Sequence, residues 1–223
     1  MTSSPRPAAG GGRWIDVPPE RLSRWVDGFA DRHGAFTVSA DPAGQAVTAT
    51  ATDGAVAVFH APFPPVELAG PALTSLIAHA RKDRRVGVLL VRLGGYAAGV
   101  FDGTELLVSK VGSRLVHARH KNGGSSQARF ARRHQNEIRD LTDAAADVAA
   151  RVLLPHLSEL AGVVLGGDRR TLDLVLADRR LGPLAGKAVE PFLTVPDPRK
   201  DVLLGTPASF RAVRILLTDP PAA

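Results

Sequence analysis

Apolar residues recur with two periods in this chain, and the place where one gives way to the other limits what it can fold into. Before His120–Ser126 they come in short, strand-like runs. Arg85–Leu93 is a dense Val/Leu run of the kind that forms a strand buried on both faces. Tyr96–Asp102, Glu105–Val111 and Arg114–Arg119 extend it as a meander, broken at Gly94-Gly95, Asp102-Gly103 and Gly112. After the loop the period is helical. Phe130, His134, Ile138, Leu141, Ala145, Val148 and Val152 fall on one stripe of a long helix that ends before Pro155. A buried strand follows at Gly162–Gly166 and a helix at Arg169–Ala177. Strands alternating with helices in this order argue for a single α/β domain, a mixed β-sheet flanked by helices.

The flanking sequence fits the same class. Pro18-Pro19 open an amphipathic stretch, Glu20–His33, with Leu22, Trp25, Val26 and Phe29 on one side, which reads as a helix. Ala35–Ala40, Ala46–Thr52 and Ala55–His60 read as strands. Their separators are turn chemistry, Asp41-Pro42-Ala43-Gly44 and then Asp53-Gly54, a strong hairpin signal. Pro71 starts a helix through Leu73, Leu76, Ile77 and Ala80; a strand is expected near Phe192–Val195, and Phe210–Leu217 is ambiguous. Residues 1–12, rich in Pro, Ala, Ser and Gly, read as a flexible tail without the apolar stretch of a secretory signal. The domain is expected over 13–218, with a short tail at 219–223.

Composition narrows the setting. Nowhere do about 18 apolar residues run together, so no spanning helix and no membrane partner are expected. The absence of cysteine excludes disulfides and thiolate metal sites, and the expected location is the cytoplasm. Charge is informative through its placement. From Leu106 to Asn136 there is no Asp or Glu, but there are Lys110, Arg114, Arg119, Lys121, Arg129, Arg132 and Arg133, with His117, His120 and His134. Those seven cations exceed the net charge of +6 of the whole chain, so the remainder is close to neutral. One basic segment on a near-neutral body is the footprint of a polyanionic partner.

Within that segment the loop has its own logic. Gly123 and Gly124 let the backbone pass close to a ligand. Ser125 or Ser126 is a good N-cap, which sets Gln127 at a helix N-terminus, where free N–H groups favour developing negative charge. Arg129, Arg132, Arg133 and Asn136 share one face of that helix, while the stripe from Phe130 anchors it to the sheet. Blander readings exist: a Gly-Ser loop that is only flexible, and an Arg face that is only solvated. His117 and His120 lack a third metal ligand nearby, and the serines lack a Gly-x-Ser-x-Gly elbow.

His117 through Arg133 resembles the catalytic middle domain of the eukaryotic and archaeal class I peptide-chain release factors. There a basic strand leads into Gly-Gly-Gln, and a helix opening Arg-Phe-Ala-Arg follows. Gly123 and Gly124 match the glycines, and Arg129-Phe130-Ala131-Arg132 the helix opening. The position after the glycines is Ser125, and the glutamine comes two residues later, in Gly124-Ser125-Ser126-Gln127. That Gly-x-x-Gln form is similar to an actinobacterial branch of the release-factor-like hydrolases of ribosome-associated quality control. Gly162-Val163-Val164-Leu165-Gly166-Gly167 is similar to a Gly-x-Val-Leu-Ala-Gly strand end of the same domain. The resemblance covers about Arg85 to Leu181.

The resemblance implies a release-factor middle-domain fold, ribonuclease-H-like, and a codon-independent peptidyl-tRNA hydrolase that frees stalled chains on the large ribosomal subunit. Codon-reading and partner-binding domains have no room in 223 residues, so stop-codon recognition is not implied. The expected catalytic residues are Gln127 with Gly123, Gly124, Ser125 and Ser126. Arg114, Arg119, His120, Lys121, Arg129, Arg132 and Arg133 would hold rRNA and the tRNA acceptor end. No metal or cofactor is expected, and a monomer is. Two rivals remain open. One is a ribosome- or RNA-binding module without catalysis, which the missing Gln after Gly124 keeps in view. The other is a metal-dependent nuclease, which needs clustered strand carboxylates; Arg85–Leu93 has none after Asp83, and Asp102 has no obvious partner.

Overall fold

The structure, a computed structural model, describes residues 5–114 and 127–220, with the backbone alone over 127–131. In chain order the elements are β1 (Arg6–Pro7), β2 (Arg13–Val17), α1 (Leu22–His33), β3 (Phe36–Ala40), β4 (Ala46–Ala51), β5 (Val56–His60) and α2 (Ala72–Arg81). There follow β6 (Arg85–Arg92), β7 (Gly95–Asp102), β8 (Glu105–Ser113), α3 (Gln127–Leu153), β9 (Gly162–Gly167) and α4 (Arg169–Leu176). The last are α5 (Gly182–Ala185), β10 (Ala188–Leu193), α6 (Lys200–Gly205), α7 (Pro207–Phe210) and β11 (Val213–Thr218). The α/β class with a mixed, helix-flanked sheet is present. The strands are dealt into two sheets, and the chain into two compact units: Met1–Lys82 with Ala208–Ala223, and Asp83–Pro207.

The first unit is an antiparallel sheet in the order β1-β2-β11-β5-β4-β3. Its strands alternate as a half-buried sheet must: Val47, Ala49 and Ala51 of β4, Ala57 and Phe59 of β5, and Val213, Ile215 and Leu217 of β11 point into one core. Helix α1 fills that core with Leu22 and Phe29, and its Trp25 ring meets Phe59 edge-on at 5.4 Å. The turns do what their residues predict. Asp53 accepts the Ala55 N–H at 2.9 Å in the β4–β5 hairpin, and Asp41 accepts those of Ala43 and Gln45 in the β3–β4 connection.

The second unit has the order β10-β9-β6-β7-β8, with β10, β9 and β6 parallel and β7 and β8 antiparallel. Its centre is β6, buried from Val86 to Val91. Leu89 and Val91 of β6 and Ala98 and Val100 of β7 meet Leu141, Ala145, Val148 and Val152 of α3, the stripe read from the sequence. Leu172 and Val175 of α4 close the same core.

The structure adds to the sequence reading, or departs from it, in several segments. Arg6–Pro7, inside the supposed tail, pairs with Arg13–Trp14. The segment Arg13–Val17, not read as regular structure, is β2, beside β11. Phe210–Leu217 divides into the end of α7 and a strand, β11, which enters between β2 and β5. The strand expected at Phe192–Val195 is β10, four residues earlier. It contains Pro191, which lacks an N–H, and tolerates it because β10 is an edge strand whose register shifts between Val189 and Leu193. Of the strand expected at Arg114–Arg119, Arg114 follows β8 as irregular chain; the rest, with the loop His120–Ser126, lies outside the described residues.

At the end of β9 the chain turns sharply through Gly167, at φ +104°, so that the Asp168 N–H reaches the Val91 carbonyl at 2.8 Å. A Cβ on Gly167 would strike that same carbonyl oxygen. Gly167→Ala should therefore cost about 3 kcal/mol, strain and clash together. Gly94→Ala, at φ +100° with nothing within 4 Å of the new methyl, should cost about 1 kcal/mol. Chemical denaturation of both variants checks this; equal losses would show that the Val91 contact is not what demands Gly167.

Candidate nucleic-acid interface

Helix α3 carries the basic face. Its 27 residues make about 40 Å of helix, whereas the eight of β6 span about 26 Å. The far end is well seated: Leu153 is fully buried beside Gly87 near the start of β6. From Arg132 to Asp140 no side chain is fully buried, and burial begins at Leu141. The helix therefore continues past its seat on the sheet. Its described span opens at Gln127.

The described part of the basic face is not uniform. Arg132 is exposed. Arg133, also exposed, gives its Nε to Glu137 at 3.1 Å, one turn on. Glu137 is the first acid beyond the acid-free window, so the window overstates the free charge on this face by one. The i+4 spacing of the pair was readable in the sequence. Arg139 and Asp143 form a looser pair of the same kind at 3.9 Å. That second pair, exposed at both ends, is worth about 0.3–0.5 kcal/mol to the helix. His134, on the stripe that faces the sheet, is half-buried.

Arg114 marks the other side of the site. It follows β8, its backbone N–H donating to the Gly94 carbonyl at 3.1 Å and its Nη1 to the Ser113 carbonyl at 3.1 Å. Strand β8 runs parallel to β6, since both are antiparallel to β7. Strand β8 thus ends on the edge where β6 and β9 also end. In open α/β sheets that edge is where ligands bind. Of the remaining expected site residues, Gly123, Gly124, Ser125, Ser126, Arg119, His120 and Lys121 lie outside the described residues. Gln127 and Arg129 are described by backbone alone, in the first turns of α3. Among the described residues there is no cluster of three or more His, Asp or Glu able to hold a metal ion, and no helix long and apolar enough to cross a membrane.

Residues 84–216 match the sequence pattern of the Actinobacteria/chloroflexi VLRF1 release factors. Over 85 residues the chain is 26% identical to peptide chain release factor subunit 1 of Archaeoglobus fulgidus. That alignment covers 38% of this chain, which spans about a fifth (21%) of the relative's length. Among solved structures the chain is similar to the archaeal translation termination factor aRF1, at 13% identity and a TM-score of 0.42, covering 89% of this chain and 66% of that one. It is also similar to a further archaeal protein at 12% identity and a TM-score of 0.33, covering 85% and 62%.

The Arg133–Glu137 pair has a consequence for any polyanion. Glu137→Gln should free the Arg133 guanidinium and remove a repelling charge, so the protein should elute from heparin at higher salt than the unmodified chain. Circular dichroism and the melting temperature should be read alongside, because the Glu137 side chain is itself largely buried. Elution at the same or lower salt would mean that Arg133 does not face the polyanion.

Proposed function

The chain belongs to the Actinobacteria/chloroflexi VLRF1 release factor family, and from that membership we propose that it is a codon-independent peptidyl-tRNA hydrolase acting on stalled large ribosomal subunits. Family membership connects it with translation termination and rescue. The observation that carries the finer reading is the place of Gln127 in the first described turn of α3, next in sequence to Gly123-Gly124-Ser125-Ser126, on a helix whose burial begins only at Leu141. A glycine-rich segment next to such a helix would suit an RNA cavity closed to the body of a folded domain.

The reaction is attack of water on the ester carbonyl between the nascent peptide and the terminal ribose of the tRNA. The carbonyl oxygen becomes an oxyanion, the ribose oxygen leaves with a proton, and the water oxygen ends in the peptide carboxylate. The Gln127 amide would orient the water and donate to the oxyanion, together with N–H groups of the first turn of α3. Gly123 and Gly124, with Ser125 and Ser126, would carry it to the ester. Arg114, Arg119, His120, Lys121, Arg129, Arg132 and Arg133 would bind rRNA and acceptor-end phosphates. The unit Asp83–Pro207 holds all of these residues. This chemistry asks for no cofactor, and the protein would work as a cytoplasmic monomer.

Gln127→Ala should leave folding and subunit affinity nearly intact, since Gln and Ala differ little in helix propensity. Release of tRNA from subunit-bound peptidyl-tRNA should slow by roughly 10²–10³-fold, the usual loss when one transition-state donor goes. Ser125→Ala should do far less. If Ser125→Ala abolished release and Gln127→Ala spared it, the catalytic assignment would be wrong. If both released normally, the chain would be better described as a ribosome-binding module.

Replacing Arg129, Arg132 and Arg133 together should flatten the salt dependence of subunit binding, by about 0.7–0.9 in log–log slope for each phosphate no longer bound. An unchanged slope would return these side chains to a solvated face.

A further inference from the structure

The two ends of β6 treat their arginines differently. At its start, Arg85 is neutralised by Asp102 at 3.1 Å and by Glu159. Arg180, after α4, is likewise held by Asp147 at 2.8 Å and Asp178 at 2.6 Å. At the carboxyl ends of the strands the pattern reverses. Arg92, the last residue of β6, gives its Nη1 to the Val195 carbonyl at 2.8 Å. Arg169 lies over the Phe192 ring, its guanidinium carbon 4.0 Å from the centroid. Arg170 is exposed beside it, and Arg114 follows β8. Among the described residues none of the four has a carboxylate oxygen within 4.0 Å.

Two acids on this edge, Asp168 and Glu190, are engaged within the chain. Asp168 caps α4, its Oδ1 accepting from the Thr171 hydroxyl at 2.7 Å and N–H at 2.8 Å. Those bonds, with smaller contributions from Arg170 and Arg92, hold its carboxyl below the ordinary range. Glu190 accepts the Phe192 N–H at 3.0 Å, and Asp197 is exposed in the loop after β10. Arg169 and Arg170, meanwhile, occupy the first turn of α4, where a cation runs against the helix dipole. They are poorly placed for stability. Guanidiniums steadied by a carbonyl or a ring keep their full charge and lose little freedom when a phosphate arrives.

We infer that this edge, formed by Arg92, Arg114, Arg169 and Arg170, is a second phosphate-binding surface that lies against the backbone of ribosomal RNA. It rests on the ribosomal reading above and adds to it. The basic segment Leu106–Asn136 is local in sequence, whereas three of these arginines come from outside it and meet only through the parallel pairing of β6, β9 and β10. The edge adjoins the end of β8, which lies within that segment.

The test is the double variant Arg169→Gln/Arg170→Gln, whose folding should be unimpaired because both cations oppose the α4 dipole; circular dichroism and the melting temperature verify this. Binding is measured against potassium chloride on two probes, purified large ribosomal subunits and protein-free large-subunit ribosomal RNA. Releasing two phosphates should lower the log–log slope by about 1.4–1.8 on both, and Arg92→Gln alone should lower it by about half as much. Unchanged slopes with a folded protein would overturn the inference. A drop on subunits but not on naked RNA would put an acidic ribosomal protein on this edge and overturn it as well. If the unmodified chain failed to bind subunits, the ribosomal reading would fall, while the slopes on naked RNA would still decide the edge.

Discussion

Everything at the candidate site depends on one contact, the seating of the second half of α3 on β6 and β7. Leu141, Ala145, Val148 and Val152 face Leu89, Val91, Ala98 and Val100, and each fully buried aliphatic side chain is worth roughly 1.5–3 kcal/mol. With one half fixed this firmly, the other can carry arginines although its inward stripe, His134 and Ile138, is only half-buried. A helix of the same composition standing alone would not hold its first turns in place. Packing at one end therefore makes presentation at the other possible.

The charge of the second unit is sorted by the same scaffold. Arginines at the start of β6 and beside α4 are matched with acids, whereas those at the carboxyl ends of the strands are braced by a carbonyl and a phenyl ring. On α3 the sorting is finer still, because Glu137 takes up Arg133 and leaves Arg132 exposed. Net charge by segment is a first approximation to such a surface. What a polyanion meets is the set of cations that no carboxylate has claimed, and that set is decided by geometry.

Membership in a release factor family and the Gly-x-x-Gln spacing bear on different questions. The family match runs over 84–216, so it takes in the whole mixed sheet, α3 and α4. The spacing concerns a few residues at the tip. In the sequence the glutamine stands two positions beyond the glycines, and the described span of α3 opens on it. A water-positioning amide at a helix start can draw on the helix for oxyanion stabilisation.

Much was legible from sequence alone wherever a local pattern suffices. The Val/Leu run marked β6 as central, the 3.6-residue stripe marked α3 to within a few residues, and Asp53-Gly54 marked its hairpin, because pairing, helix phase and turn geometry are each dictated by neighbours in the chain. The basic segment was legible for the same reason. What tertiary structure alone decided is non-local. β11 finds its place between β2 and β5, far from both in sequence, and an edge position rather than propensity lets β10 keep Pro191. Likewise Arg92 and Arg169 have nothing in common along the chain. They share an edge because parallel strands joined through helices bring their carboxyl ends together, and no window of sequence contains that fact.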